Sequence, residues 1–160
     1  MTPRVVSVIF ARGTGDEGPL SSARLLAGKP ILHYVIGAAF GSSYISDVYV
    51  STEDERIAAV AVAANAKVIM RPDDLAQPTT PLARAVEHSV QFLKKNNPTT
   101  CSLLCLPADA VFCETSLIDY AVEKYFEKDW DRLIALLPER KKYVIWKLSQ
   151  ETKLEPVILQ

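Results

Sequence analysis

The chain is poor in residues that staple, ligate or span. It has three cysteines in 160 residues, Cys101, Cys105 and Cys113, an odd number that intramolecular disulfides cannot use up. Cys101 and Cys105 are four apart and share a face if extended. A zinc site asks for about four Cys or His ligands at characteristic spacing. The two histidines, His33 and His88, lie far from the cysteines in sequence and within apolar helical patterns. Zinc is therefore not expected, and buried free thiols in a reducing cytoplasm are. Long apolar runs are missing too. The longest, Ile57 to Ala64, is far short of the ~20 residues a membrane helix needs. The apolar stretch Val5–Phe10, between Arg4 and Arg12, is too short for a signal peptide, and no cleavage site follows it. It reads as a buried first strand of a cytoplasmic protein.

Neither sign of charge is in excess. Eighteen Lys and Arg face nineteen Asp and Glu, a net charge of −1. That balance points to no nucleic-acid groove and no anionic membrane surface. What the chain does have is a globular composition, 49% hydrophobic and 23% charged. At about 150 residues per domain it is one domain, 1–160, long enough to bury a core.

Apolar runs rich in β-branched residues alternate with helical patterns. Strands are expected at Val5–Phe10, Asp47–Ser51, Lys67–Met70 and Ser102–Leu106, the last continuous enough for a central strand. Helices are expected from Pro30 to about Phe40, with Ile31, Tyr34, Val35 and Ala38 on one stripe, and from Asp54 to Ala64, opened by Thr52 and its acidic neighbours. Two more follow at Leu82–Lys95, with Ala85, Val86, Ser89 and Leu93 along one side, and at Leu117–Phe126. Arg132–Leu137 and Tyr143–Leu148 read as further strands, and Pro156–Leu159 as a short last one. The basic run Pro138 to Lys142 reads as a solvated turn. Strand–helix alternation argues for a three-layer α/β/α sandwich with a mainly parallel sheet. Ligands of such sheets bind beyond the carboxyl ends of the strands. Four loops therefore matter: the one after Phe10, Ser51-Thr52-Glu53, Arg71-Pro72 and Pro107-Ala108-Asp109.

The first of these loops contains a decoy. Gly13, Gly15 and Gly18 fit G-x-G-x-x-G after a strand, the dinucleotide-binding fingerprint. That motif needs a helix starting inside the glycines. Here Pro19 and Ser21-Ser22-Ala23 follow, and the helical pattern begins only at Pro30. The acidic residue at the end of strand two, Glu53, lies 35 residues past Gly18 rather than about 20. An NAD(P)-binding Rossmann protein is thus the remote reading.

A longer frame holds together: Arg12-Gly13, Pro19, Leu26-Ala27-Gly28-Lys29-Pro30, Val50-Ser51-Thr52-Glu53-Asp54-Glu55, and Arg71-Pro72-x-x-Leu75-Ala76. In this order it resembles the sugar-acid cytidylyltransferases, which make CMP-sialic, CMP-pseudaminic and related CMP-nonulosonic acids. Their pattern runs A-R-G-G-S-K-G-I-P-x-K-N, L-x-G-K-P, V-S-T-D, R-P-x-x-L-A, and the distance from Arg12 to Lys29 fits it without a gap. The resemblance covers about residues 4 to 137. Thr79-Thr80-Pro81 with His88, and the Leu-Cys-Leu-Pro stretch, look nearest to the pseudaminic-acid branch.

The resemblance implies a nucleotide-diphospho-sugar transferase fold (GT-A-like) and transfer of CMP from CTP to a nonulosonic acid, with pyrophosphate leaving and Mg²⁺ required. Carried over residue by residue, Arg12, Gly13, Thr14 and Gly15 belong to the triphosphate loop, and Ser22 takes its asparagine position. Lys29 sits in the G-K-P turn, Ser51 and Thr52 flank the nucleotide, and Arg71 reaches the cytidine. Asp109 resembles the metal-holding aspartate after this strand in other nucleotidyltransferases of the fold. The partners implied are CTP and a sugar acid, with a homodimer possible.

The chain departs from the pattern in three places. The family's two lysines fall on Asp16 and Ser21, and Glu17 adds a second anion. A like-charge pair about 6 Å apart costs roughly 3 kcal/mol at an effective dielectric of about 20, about a hundredfold in affinity. After strand four, Ala108 and Phe112 replace a threonine and an arginine. Family members also continue beyond this length, bringing a metal-binding aspartate pair, sugar-acid contacts and much of the dimer interface. These departures make a degenerate, shortened relative that binds or regulates without catalysis the alternative expectation.

Overall fold

The computed structural model describes residues 5–15, 18–96, 102–128, 130–136, 145–148 and 154–157. Its sheet has four strands, β1 (Val5–Phe10), β2 (Ile45–Thr52), β3 (Lys67–Met70) and β4 (Ser102–Pro107). All pairings are parallel, in the spatial order β3-β2-β1-β4. The chain steps outward from β1 to β3, then crosses back to place β4 on the far side of β1. The reversal of strand order therefore falls between β1 and β4.

Four helices connect the strands: α1 (Ile31–Gly41), α2 (Glu55–Ala63), α3 (Leu82–Asn96) and α4 (Thr115–Glu127). Side chains of β1 alternate between faces, as a period of two demands. Val5 and Ile9 join Val48, Val50 and Leu106 under α1, α2 and α4, which contribute Val35, Ile36, Ile57, Ala61 and Ile118. Val6, Val8, Tyr49 and Ile69 face the other way, under Leu93 of α3. Phe92 of α3 meets the Tyr49 ring edge-on at 6.4 Å. Burial on both faces is why β1 is apolar at every position but Ser7, each buried Val or Ile contributing about 1.5–3 kcal/mol. The result is the expected α/β/α sandwich. Among the described residues no helix is long and apolar enough to cross a membrane.

Several sequence expectations need correction. Among the described residues β4 is an edge strand, not a central one, because only β1 pairs with it. The buried stripe of α1 is Leu32, Val35, Ile36 and Ala39 rather than Ile31, Tyr34, Val35 and Ala38. Almost every residue there is apolar, so periodicity alone could not orient the helix. Residues 132–136 form no strand. A late antiparallel pairing does exist, between β5 (Ile145–Leu148) and β6 (Leu154–Val157), as a ladder separate from the main sheet. Cys105 is exposed and Cys113 half-buried, so these thiols are not core residues. Asp16, Glu17, Cys101 and the run Pro138 to Lys142 lie outside the described residues.

Helix α2 starts on an aspartate. The Asp54 carboxylate accepts a hydrogen bond from the Arg56 backbone N–H at 2.8 Å, and the Arg56 side chain adds contacts at 3.0 and 2.6 Å. Thr52 Oγ1 supports the turn by accepting from the Asp54 N–H. The hydrogen bond from the Arg56 side chain, more than any other cause, holds the Asp54 carboxyl below its ordinary range. A lowered folded-state value means the stabilisation is present above the unfolded-state pKa and is lost as pH falls through the folded one. Asp54→Ala is expected to cost about 1 kcal/mol, a melting shift of about 2–4 °C. The gap from wild type should close as pH falls below the ordinary aspartate range. Equal melting temperatures at neutral pH would contradict the cap.

Candidate functional site

Strand register decides which loops meet. Phe10 lies opposite Ser51 on one side and Pro107 on the other, and Thr52 lies opposite Met70. All four strands therefore release their chains at one end of the sheet. The Ala11 N–H donates to the Ser51 carbonyl at 3.1 Å and the Arg71 N–H to the Thr52 carbonyl at 3.0 Å, so the ladder continues one residue into the loops. There, above the β1/β4 reversal, lies a cleft of about 610 Å³. Arg12, Ser22, Arg71, Thr80, Cys105 and Asp109 are among its lining residues. Its size and position suit a nucleotide-sized ligand.

The glycine turn is shaped from within. After Gly13 the chain makes a two-residue ladder, Thr14–Gly15 against Gly18–Pro19, and a short 3₁₀ turn, Ser21–Ala23. The first α-helix begins only at Ile31, so the dinucleotide fingerprint has no helix to serve it. Gly13 is buried, and a Cβ there would meet Asp54 Oδ2 at 2.6 Å and Asp54 Cβ at 2.8 Å, which leaves room only for glycine. Its N–H donates to Glu53 Oε1 at 2.6 Å and is thus spent inside the protein.

Arg71 is the buried cation of the site. Its side chain is 1% exposed and reaches across β2: Nη2 donates to Glu53 Oε2 at 2.9 Å and to the Ala11 carbonyl at 3.1 Å. Burial pushes the guanidinium below its ordinary value. Glu53 opposes that shift, and the nearby Arg12 charge adds to it. An arginine stays protonated through such a shift. Arg71 Nε and Ser22 Oγ are buried and have no hydrogen-bond partner among the described residues. Buried polar atoms are ordinarily paired, so two orphans on one cleft mark where a polar ligand would be read.

The sequence-predicted residues divide accordingly. Arg12, Ser22, Arg71 and Asp109 come together on the cleft. Thr14 and Gly15 stay in the two-residue ladder, and Thr14 is exposed. Ser51 and Thr52 are wholly buried beneath the loops. Lys29 is exposed on a second ladder, Leu25–Leu26 against Lys29–Pro30, with its Nζ 5.0 Å from the centre of the Tyr34 ring. The turn between those strands has Ala27 at φ 48° and Gly28 at φ 78°. Positive φ at both turn residues favours glycine, which the sequence supplies at the second position, so the L-A-G-K-P motif carries a turn signature. Sequence reasoning missed the role of Glu53, although it stands where the pattern V-S-T-D has its aspartate.

A magnesium ion is compatible with the donors present. Asp109 offers one exposed carboxylate on the cleft rim, and no group of three potential ligands exists among the described residues. Mg²⁺ commonly uses one or two carboxylates together with substrate phosphates and water. The donor set therefore suits an ion arriving on a phosphate chain rather than a closed protein cage. Cys105 also touches the cleft, and partial burial pushes its thiol above the ordinary range, which makes thiolate scarce at neutral pH.

Comparison with known proteins gives the same direction. The chain is 35% identical over 121 residues to CMP-N,N'-diacetyllegionaminic acid synthase of Legionella pneumophila, covering 75% of this chain and 52% of that protein. It is 27% identical over 129 residues to pseudaminic acid cytidylyltransferase of Campylobacter jejuni, covering 80% and 56%. This chain thus spans about half the length of these curated relatives. Among solved structures, a CMP:2-keto-3-deoxy-manno-octonic acid synthetase complexed with CTP shares the fold with a TM-score of 0.64 at 20% identity, covering 79% of this chain and 48% of that one. A sequence model of the family described as Cytidylyltransferase matches residues 22–150. With that match spanning most of the chain, and the fold agreeing, the protein belongs to the cytidylyltransferase family.

Proposed function

We propose that this protein is a cytidylyltransferase that transfers CMP from CTP to a nonulosonic acid of the sialic or pseudaminic type. In that reaction a hydroxyl oxygen of the sugar acid attacks the α-phosphorus. A new P–O bond forms, the α–β bridging P–O bond breaks, and pyrophosphate leaves while the hydroxyl proton passes to solvent. The observation that carries the reading is the pair of orphaned buried atoms, Arg71 Nε and Ser22 Oγ, on a cleft at the carboxyl ends of a parallel sheet. The sugar-acid class comes from the resemblance of the sequence pattern, and the names of the two relatives above support it in part.

The roles follow from chemistry. Arg12 supplies charge for a phosphate chain, and Arg71 and Ser22 supply donors for polar atoms of the nucleotide. Magnesium, when bound, supplies charge neutralisation, with Asp109 as the residue of this chain that shares in holding it. One sequence observation favours a second reading, a catalytically inactive binding or regulatory relative: Asp16 and Glu17 put anions where the family pattern has a cation.

Pyrophosphate release from CTP, Mg²⁺ and a panel of sugar acids tests the proposal. Release with at least one acid is expected. CTP binding without release selects the second reading, and no binding at millimolar CTP removes the nucleotide assignment. Asp16→Lys combined with Ser21→Lys is expected to tighten CTP about a hundredfold or more through lost repulsion and restored phosphate attraction. Unchanged or weaker binding in the titration would count against a phosphate-holding turn.

A further inference from the structure

We propose that Glu53 is the positioning residue of this cleft, a carboxylate clamp that sets the glycine turn and the Arg71 guanidinium at once. The inference rests on the nucleotide reading above and adds a residue to which that reading gave no role.

Glu53 is the first residue after β2, and its side chain is 13% exposed. One oxygen accepts from the Gly13 N–H at 2.6 Å and the other from Arg71 Nη2 at 2.9 Å. A single carboxylate therefore joins the exits of β1, β2 and β3. Nη2 has two hydrogens, and the Ala11 carbonyl takes the second at 3.1 Å. That nitrogen is saturated, and two anchors fix the guanidinium plane. Nε is left without a partner among the described residues, on a residue that lines the cleft. The orphan is thus a consequence of the clamp. Without Glu53 the guanidinium could turn to satisfy Nε elsewhere, and the Gly13 N–H would lose its acceptor.

The clamp needs two acceptor lobes and a negative charge. Glutamine keeps one acceptor and turns an NH₂ donor toward a donor, so either Gly13 or Arg71 loses its bond. Aspartate keeps both lobes and the charge. A residue that only supports the fold would move the melting temperature and leave these couplings silent.

The test uses the full chain as wild type, Glu53→Gln, Glu53→Asp, Arg71→Met and the Glu53→Gln/Arg71→Met pair. In nucleotide-free protein, Gly13 amide exchange should speed up about tenfold in E53Q and by about threefold or less in E53D. In CTP titrations E53Q should bind about tenfold more weakly, E53D should retain most of the affinity, and E53Q should add little in the R71M background. Wild-type affinity in E53Q, multiplying losses in the pair, or unchanged Gly13 exchange in E53Q would each overturn the clamp. Should wild type bind no CTP, the nucleotide reading fails, while Gly13 exchange still judges the clamp. Should E53Q not fold, R71M decides: faster Gly13 exchange supports the coupling and unchanged exchange overturns it.

Discussion

Arg71→Ala is expected to lower stability by about 3 kcal/mol and CTP affinity by about a hundredfold. The stability loss comes from what is left behind. Among the described residues, Glu53 keeps a mostly buried carboxylate with the Gly13 N–H as its one hydrogen-bond donor, and the Ala11 carbonyl loses the Arg71 donor. Removing one partner of a buried pair costs about 3–5 kcal/mol, and the lower end applies because Glu53 retains some solvent contact. At this chain length that is a melting shift of about 6–12 °C. The affinity loss has a different origin: a buried cation and the unpartnered Nε both leave the cleft. Removing Glu53 as well should recover part of the stability, since no lone charge then remains, but none of the affinity. Thermal melts and CTP titrations separate the two effects. An unaffected affinity would show that the nucleotide lies elsewhere.

Gly13→Ala is expected to destabilise by about 1–3 kcal/mol and to abolish CTP binding in the range where wild type binds. The added methyl meets not only the carboxylate tip of Asp54 but its Cβ, at 2.8 Å, so a side-chain rotation cannot clear it. Either the glycine turn lifts away from α2, breaking the Gly13–Glu53 bond, or the start of α2 moves and the Asp54 cap is lost. Both outcomes reach the cleft, because Gly13 follows Arg12 directly. Combining Gly13→Ala with Asp54→Gly removes the opposing atoms, the Cβ included, and the double variant should be less destabilised than the sum of the two single changes. Simple additivity in the melts would contradict the packing account.

Strands β1 and β2 were legible because both faces of β1 and of most of β2 are buried, whereas β3 and β4 are partly exposed and were legible from their β-branched and apolar runs. A two-sided strand must be almost continuously apolar, and Val5–Phe10 falls where the sequence places it, as does the partly exposed Lys67–Met70. Helix α2 was legible from its cap and acidic start, although the capping side chain is Asp54. Helix α1 was legible as a helix but not in rotation, since apolar residues surround it. Of the cleft, the sequence offered Arg12, Ser22, Arg71 and Asp109 through a family pattern. That same pattern also collected Lys29, whose motif serves a hairpin turn, and Ser51 and Thr52, which lie buried under the loops.

Local sequence determined where strands, helices and turns begin, because hydrophobic period, capping and positive-φ positions act over a few residues. Only the tertiary structure decided that Glu53 would hold Gly13 and Arg71, residues 40 and 18 positions away in the chain. The physical reason is register. Parallel pairing aligns the ends of β1, β2 and β3, and a carboxylate at the middle exit can then reach donors on both sides.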